Sequence, residues 1–230
     1  CMNEGAVLMN AEEIDRALSR IAHQVLEQAG GAKELALVGI HTRGVPLARR
    51  LAWKIAQAGE ELPPVGILDI NMYRDDLSHA EDHPVVRRTE LPFKVADRHI
   101  VLVDDVLYTG RTIRAAMDAL SDLGRPRTIR LAVLIDRGGR ELPIQSDFVG
   151  RFFPVGPEEV VEVALAEIDG GPDLVRVRSR EEMRRAAEEA RRRVAEAAPR
   201  AAAPARRGAR KATTTKKKAA RKRGRKGTGR

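Results

Sequence analysis

Uniformly apolar runs and segments of helical periodicity alternate along the first two thirds of the chain. The apolar runs have almost no polar positions, which is typical of strands buried on both faces of a parallel sheet. They lie at 35–40, 65–70, 101–103 and 129–135, with a shorter run at 148–150. Apolar residues three and four positions apart predict helices that begin near 10, 45 and 111. The pattern therefore predicts an α/β fold in which helices flank a central parallel sheet.

A different pattern follows toward the C-terminus. Residues alternate between apolar and polar at 160–168 and 174–178, and Asp-Gly-Gly-Pro separates these stretches, so we expect a β-hairpin. Beyond 180 the apolar content is mostly alanine, and glutamate and arginine recur four positions apart, which predicts a charged helix. We therefore expect a domain over 1–179, a helical spacer over 180–198 and a tail over 199–230.

Charge is distributed unevenly between the tail and the rest of the chain. The tail contains 14 of the 42 lysine and arginine residues and no acid, so residues 1–198 carry 28 basic against 33 acidic side chains. A segment of this composition cannot bury enough apolar surface to fold, and we expect it to be disordered. A polybasic arm binds nucleic-acid phosphates without sequence choice, although the same composition also suits a tail that only adds solubility.

Cysteine content and hydropathy favour a cytoplasmic protein. Cys1 is the single cysteine in the sequence, which excludes an internal disulfide and suits a reducing compartment. No apolar run approaches the roughly 18 residues of a membrane span. We expect a cytoplasmic protein with no membrane partner.

The stretch at 101–117, VLVDDVLYTGRTIRAAM, carries the clearest candidate chemistry. It predicts a strand that ends at the acid pair Asp104-Asp105, then a turn, then a helix opened by Thr-Gly-Arg-Thr at 109–112. Ligands of parallel sheets bind beyond the carboxyl ends of the strands, and a helix N-terminus there offers free N–H groups to a phosphate. Gly110 allows close approach of the backbone, while the acids suit vicinal ribose hydroxyls or a ligand-bound cation. This order of groups describes a site for ribose 5-phosphate.

Three other loops are expected to line the same site. His-Thr-Arg-Gly at 41–44 follows the first strand, and its backbone and Arg43 suit a pyrophosphate. The polar stretch at 71–97 is long for a connection, so we expect a lid in which Arg74 faces phosphate. A surface hairpin with Arg74 paired to a neighbouring aspartate is the alternative. Backbone groups at Ile135 and Asp136, where another strand ends, are placed to contact a base edge.

Taken singly, these motifs also have structural interpretations, in which the acid caps a strand, glycine and threonine serve a turn, and polar residues of the first helix face solvent. The ordered combination is far more specific. It resembles the signature of type I phosphoribosyltransferases, which bind phosphoribosyl pyrophosphate (PRPP). This resemblance implies the fold of that family, a central parallel sheet flanked by helices and covered by a flexible lid.

Further segments narrow the resemblance to the attenuation regulators of pyrimidine operons. These segments are RALSRIAHQ at 16–24, LVGIHTRGVPLARRLA at 37–52, DINMYRDDLS at 69–78 and GRPRTIRLAVLIDRGGRELPI at 124–144. The resemblance implies a protein that binds pyrimidine leader messenger RNA when loaded with UMP or UTP and favours a terminator. It also implies uracil phosphoribosyltransferase activity, with Mg²⁺ carried by PRPP and no metal held directly by the protein, in a homodimer or homotetramer.

The resemblance also assigns roles to individual residues. The expected catalytic residues are Asp104, Asp105 and Arg74. The expected PRPP and UMP contacts are Thr42, Arg43, Gly44, Arg74, Asp104, Asp105, Val106, Leu107, Tyr108, Thr109, Gly110, Arg111, Thr112, Ile135 and Asp136. The expected RNA contacts are Arg16, Ser19, Arg20, His23, Arg137 and Arg140.

Two departures from the family pattern leave the balance of functions open. Gly139 stands where the motif R-G-H-R-E-L-P has histidine, and Val155 stands where a P-T-S segment has a hydroxyl. The chain is therefore either an RNA-binding regulator that uses the site to sense UMP, or a salvage enzyme with weak or lost RNA regulation. A purine phosphoribosyltransferase is a third alternative, against which the segments at 69–78 and 140–143 argue.

Overall fold

A computed structural model of the chain describes residues 5–70 and 89–197. The chain divides into two compact units, Cys1–Glu189 and Ala190–Arg230. The described part of the second unit is limited to 190–197, at the end of the last helix. The tail predicted over 199–230 lies outside the described residues. None of the described helices is long and apolar enough to cross a membrane.

The larger of two sheets has five parallel strands in the order β3-β2-β4-β5-β6. These strands are β2 (Leu35–Ile40), β3 (Val65–Leu68), β4 (His99–Leu107), β5 (Thr128–Asp136) and β6 (Phe148–Phe152). Helices α1 (Ala11–Ala29) and α2 (Gly44–Gln57) cover one face, and α3 (Arg111–Leu123) covers the other. The predicted parallel sheet with flanking helices is confirmed.

The smaller sheet joins the two ends of the first unit. It contains β1 (Ala6–Asn10), β7 (Glu159–Ala164) and β8 (Leu174–Ser179), antiparallel and in the order β1-β8-β7. The short helix α4 (Ala166–Asp169) connects β7 to β8, and α5 (Arg180–Ala197) follows β8. The predicted antiparallel pair and the helix after 180 are confirmed.

An aliphatic core on each side of the large sheet explains why its strands are apolar throughout. In β4, Val101 and Val103 face α1 and α2, whereas Ile100 and Leu102 face α3, and all four are buried. Burial of aliphatic area on both faces is the main stabilising contribution to such a sheet. The sheet consequently provides a rigid base whose carboxyl edge carries the loops.

The start of α1 is fixed by a capping box. Asn10 Oδ1 accepts a hydrogen bond from the Glu13 N–H, and Glu13 Oε2 accepts one from the Asn10 N–H, both at 2.9 Å. Because Asn10 is also the last residue of β1, the same residue ends the strand and begins the helix.

The main differences from the sequence prediction are one additional strand and two shifted strand ends. Strand β1 was not predicted, and β4 continues two residues beyond the acid pair, to Leu107. The strand predicted over 160–168 ends at Ala164 and gives way to α4. The physical reason is side-chain capture of backbone groups. Asp169 Oδ2 accepts from the Leu165 N–H, and Asp173 Oδ1 accepts from the Ala166 N–H, both at 2.9 Å.

The described end of the predicted lid packs onto the large sheet. Glu90 forms an antiparallel bridge with Ile67 in β3, and Val95 is buried in the core on the α3 side. Leu91, Phe93 and Val95 therefore pack into the core on this side, while the residues between them are exposed. Residues 71–88, including Arg74, lie outside the described residues.

Candidate active site

A cavity of about 210 Å³ lies at the carboxyl edge of the large sheet. Strand β2 pairs with β4 only as far as Gly39 and Val103, whereas β4 continues beside β5 to Leu107. The acid pair of β4 therefore lies just beyond the end of β2 and faces open space. The cavity is lined by Ile40, His41, Thr42, Arg43, Ile70, Asp104, Asp105, Val106 and Thr112. Two of the predicted loops, 41–44 and the stretch from the acid pair to Thr112, thus meet in one place.

A wider depression of about 640 Å³ lies around Trp53, at the amino edge of the same sheet. Its walls come from the segments before β2, β3 and β4 and from α2, and they contain no residue of the phosphate or acid-pair motifs. In parallel sheets ligands bind at the carboxyl edge. The smaller cavity is therefore the better candidate despite its size.

Backbone hydrogen bonds and burial hold the two carboxylates in place. Asp104 Oδ1 accepts a hydrogen bond from the Asp105 N–H at 3.0 Å, and Asp105 Oδ1 accepts one from the Val106 N–H at 2.9 Å. Burial raises the pKa of Asp105, while hydrogen bonding to Asp104 and the positive charge of Arg43 oppose that increase. A buried carboxylate is stabilised by donors or by a cation. The pair therefore suits ribose hydroxyls or a cation bound to the ligand.

The loop between β2 and α2 is pressed against β4. A Cβ at Gly44 would lie 2.2 Å from the carbonyl oxygen of Val103, so no residue with a side chain fits this contact without a shift. His41 Nδ1 lies 2.9 Å from Thr42 Oγ1, and the peptide bond between these residues is cis. The close approach presents Thr42 and Arg43 to the cavity.

The turn before α3 has the form that a phosphate cradle requires. Gly110 has a left-handed backbone (φ 91°), and α3 begins at the next residue. The Thr109 carbonyl accepts from the Glu141 and Leu142 N–H groups at 3.0 and 3.1 Å, and Arg111 Nε donates to Glu141 Oε2 at 2.8 Å. The loop after β5 therefore holds the N-terminus of α3, whose N–H groups attract an anion.

Asp136 and Arg140 organise the loop after β5. Asp136 is buried; one carboxylate oxygen accepts from the Gly138 N–H at 3.0 Å, and the other accepts from the Arg140 guanidinium. Arg140 also donates to the carbonyl oxygens of Tyr108 and Ile144, at 2.9 Å each. The end of β5 is thereby joined to the turn before α3.

Arg137 packs on an aromatic ring in the same loop. Its guanidinium carbon lies 4.0 Å from the centre of the Tyr108 ring, and its Nη2 donates to the Gly156 carbonyl at 3.0 Å. The residue is 5% exposed, and this burial lowers its pKa. The guanidinium is therefore part of the loop's packing.

An acid of helix α4, which the sequence analysis did not identify, contacts Arg43 in the cavity wall. Asp169 Oδ1 accepts a hydrogen bond from Arg43 Nη2 at 2.8 Å, within an ion pair. The two residues are 126 positions apart, so no local motif joins them. The available signal was the group of acids Glu167, Asp169 and Asp173 in and after a segment predicted as strand.

The acid pair is better suited to a ligand-bound cation than to a metal held by the protein. Within 5–70 and 89–197 no group of three or more His, Cys, Asp and Glu residues is arranged to hold a metal ion. Two adjacent carboxylates in a polar cavity fit a cation that arrives already bound to a phosphorylated ligand.

Comparison with known proteins identifies the family. The family model for the phosphoribosyl transferase domain matches residues 8–166. A relative from Thermus thermophilus, "Bifunctional protein PyrR", is 58% identical over 176 residues, which cover 76% of this chain and 97% of that protein. The chain belongs to the PyrR family of phosphoribosyltransferases. A PyrR from Deinococcus radiodurans is 54% identical over 179 residues, covering 78% and 97% of the two chains.

Solved structures give the fold independently of the PyrR relatives. Hypoxanthine phosphoribosyltransferase from Trypanosoma cruzi, in complex with the product IMP, matches with a TM-score of 0.60 at 16% sequence identity. The match covers 81% of this chain and 98% of that one. The expected type I phosphoribosyltransferase fold is confirmed. An identity this low shows the fold alone and does not indicate which base this chain uses.

The cavity at the carboxyl edge contains many of the residues predicted to bind PRPP and UMP. Six predicted contacts line it: Thr42, Arg43, Asp104, Asp105, Val106 and Thr112. Four more lie in the loops that bound it: Gly44, Thr109, Gly110 and Arg111. The remaining described ones lie at the paired ends of β4 and β5 and in the turn that follows: Leu107, Tyr108, Ile135 and Asp136. Arg74 lies outside the described residues. Ligand contact by these residues stays a prediction.

The residues of α1 that are predicted to contact RNA differ in exposure and in the groups they contact. The Arg16 side chain is 67% exposed and pairs with Glu12 at 3.5 Å. Ser19 Oγ accepts from Lys54 Nζ, and His23 Nδ1 lies 2.8 Å from the Ser19 carbonyl. Arg16 and His23 are therefore exposed, whereas Ser19 is half-buried against Lys54 of α2.

Three arginines predicted to contact RNA donate hydrogen bonds to other groups of the chain. Arg20 donates to the carbonyl oxygens of Val149 and Gly150, at 3.1 and 2.5 Å, on the edge strand β6. Arg137 and Arg140 donate within the loop after β5. These guanidinium groups stabilise the fold, and their contact with RNA stays a prediction.

Proposed function

We propose that this chain regulates pyrimidine genes by transcription attenuation, binding the operon's leader messenger RNA when it holds a uridine nucleotide. The same site forms UMP and pyrophosphate from uracil and PRPP. The observation that carries the proposal is the cavity where the acid pair, the loop before α2 and the start of α3 meet. Membership of the PyrR family supports the pairing of the two activities.

Each part of PRPP has a matching group at the cavity. The N-terminus of α3, with Thr112, binds the 5-phosphate through N–H and hydroxyl donors. Asp104 and Asp105 accept hydrogen bonds from the ribose hydroxyls. Arg43 and Thr42 bind the pyrophosphate from the opposite wall. Backbone groups of Ile135 and Asp136 contact the edge of uracil.

In the proposed reaction, N1 of uracil forms a bond to C1 of the ribose as the bond from C1 to the pyrophosphate oxygen breaks, and the N1 proton is released to solvent or to the departing pyrophosphate. Positive charge develops on the ribose ring, as in glycoside chemistry, and the carboxylate of Asp105 or Asp104 stabilises it. Mg²⁺, brought with PRPP, neutralises charge on the leaving pyrophosphate. The protein positions the reactants and, through the predicted lid with Arg74, excludes water.

We assign RNA binding to α1 and the basic tail. The proposed assembly is a homodimer or homotetramer that acts in the cytoplasm during transcription. Arg16 and His23 lie on the outer side of α1, and the tail's cations add affinity that falls with salt. The alternative is a salvage enzyme without RNA regulation. One observation favours this alternative: Arg20, Arg137 and Arg140 donate hydrogen bonds to backbone carbonyls of the chain itself.

RNA binding with and without UMP tests the proposal. The full chain and a chain ending at Ala198 are compared on a pyrimidine leader hairpin and on a scrambled RNA, across a range of salt. UMP is expected to tighten binding to the hairpin alone in both chains. Removing the tail is expected to weaken binding to both RNAs equally and to reduce the salt dependence.

Turnover of uracil and PRPP, measured on the same two chains, separates the alternatives. UMP formation with RNA binding that ignores both UMP and sequence would identify a salvage enzyme. Loss of the UMP response on removing the tail would contradict the accessory role given to the tail. Absence of turnover would contradict the enzymatic half of the proposal.

A further inference from the structure

Arg43 is connected to the small sheet through one acid. Arg43 Nη2 donates to Asp169 Oδ1 at 2.8 Å, with the two side chains 34% and 30% exposed. Among the described residues, Nε of Arg43 is buried without a hydrogen-bond partner. The guanidinium therefore has one donor tied to Asp169 while another, in a cavity wall, is left unsatisfied.

Asp169 is itself held rigidly, so it can fix the arginine. Its other oxygen, Oδ2, accepts from the Leu165 N–H at 2.9 Å across the short helix α4. The two carboxylate oxygens thus face in two directions, one toward the backbone of α4 and one toward the cavity wall. Movement of Asp169 with Arg43 would break the hydrogen bond that its side chain accepts from the Leu165 N–H at the start of α4.

Two opposing effects decide whether this contact helps an anion to bind. A negative charge near Arg43 repels pyrophosphate, but the Asp169 charge is already paired with Arg43 and with a backbone N–H, and it is screened by solvent. Against this, an unheld arginine loses much rotational freedom when it binds a ligand, and prior fixing removes part of that loss. The fixing effect is larger because the charge of Asp169 is already paired, so little of it remains to repel the pyrophosphate.

We propose that Asp169 is a positioning residue that holds Arg43 in place to receive the pyrophosphate of PRPP. This inference rests on the proposed function, since it assigns the cavity to PRPP. Asp169 does not contact the ligand. It acts through Arg43, and it links the small sheet to the reaction performed on the large one.

The test compares two neighbouring acids of the same helical turn. Asp169→Asn retains an oxygen for the Leu165 N–H but removes the charge that holds Arg43. Glu167→Gln is the matched control, because it makes the same charge change in α4 at a residue that pairs with Arg50. Arg50 does not line the cavity.

Binding of magnesium pyrophosphate is measured by calorimetry, beside the KM for PRPP and kcat. Asp169→Asn is expected to weaken pyrophosphate binding about fivefold, or about 1 kcal/mol, and to raise KM similarly with kcat within about twofold. Glu167→Gln is expected to change neither by more than about 1.5-fold. In an Arg43→Gln background, Asp169→Asn is expected to have no further effect.

Three results would overturn the positioning role: equal effects of Asp169→Asn with and without Arg43, equal effects of the two acid variants, or tighter pyrophosphate binding by Asp169→Asn. The last would make Asp169 a competitor for Arg43. If Asp169→Asn fails to fold, Asp169→Glu takes its place. Asp169→Glu and Glu167→Gln, each with and without Arg43→Gln, then test the coupling. A wild-type chain that binds pyrophosphate without forming UMP would refute the enzyme and leave this result interpretable.

Discussion

Gly139→Ala tests whether packing on Tyr108 fixes the loop after β5. Gly138 and Gly139 both adopt the left-handed region, with φ of 72° and 74°. A Cβ at Gly139 would lie 2.6 Å from Cε2 of Tyr108, whereas at Gly138 the nearest atom is Cβ of Pro154 at 3.8 Å. Alanine at the two positions therefore shares the backbone cost and differs in the contact with the ring.

The expected magnitudes follow from these two contributions. A left-handed alanine costs about 1 kcal/mol at either position. At Gly139 the ring must also move away from Arg137, which is 5% exposed. A desolvated cation–π contact contributes about 1–2 kcal/mol. We therefore expect a loss of about 1 kcal/mol for Gly138→Ala and about 2–3 kcal/mol for Gly139→Ala.

Urea unfolding at pH 7 measures both losses in one set of conditions. The same pair of substitutions in a Tyr108→Ala background provides the control, because the difference between them should then disappear. Equal losses in the wild-type background would refute the role given to the ring. A difference that persists without Tyr108 would place the contact elsewhere.

Three further predictions concern Asp105, Arg20 and Arg111. Asp105→Asn is expected to abolish UMP formation yet to stabilise the fold at pH 7. Burial raises the pKa of this carboxyl. The stability contributed by the protonated carboxyl is therefore fully present below the unfolded pKa and is lost as pH rises through the folded pKa, so the ionised group destabilises the fold at pH 7. A variant whose unfolding free energy follows the wild-type pH dependence would contradict this. Arg20→Ala is expected to lose about 1–2 kcal/mol in urea unfolding, because two edge-strand carbonyls lose a charged donor. Arg16→Ala, at an exposed pair, should change stability by less than about 0.5 kcal/mol, and equal losses would rule out the edge-strand role. Arg111→Ala, at the start of α3, is expected to abolish UMP formation with its circular dichroism unchanged, and normal turnover would exclude it from the phosphate loop.

The large sheet and its cavity were predictable because their signals are local. Each strand contains an apolar run, and each group of functional residues lies near or directly after the end of its strand, as Asp104 does in β4 and Thr112 at the start of α3. The parallel arrangement then brings the loops to one edge. No long-range information was needed to place the acid pair next to the phosphate turn.

The elements that were missed depend on partners far along the chain. Strand β1 pairs with β8, and α4 forms because Asp169 and Asp173 bind backbone N–H groups that a strand would have used otherwise. The side chains of Arg20 and Arg43 likewise end at residues more than 120 positions away. A sequence shows that an arginine is present but does not show what its guanidinium will contact.

The pairing of β1 with β8 has a consequence for biosynthesis. Residues Ala6 to Asn10 pair with Val177 to Leu174, which leave the ribosome only after nearly the whole phosphoribosyltransferase domain. Until then the first strand has no partner in its sheet, whereas the β2–α2 and β4–α3 units can form as they emerge. The finished pair also brings the two ends of this domain together, so a protein fused ahead of Ala6 would be tethered close to the start of α5.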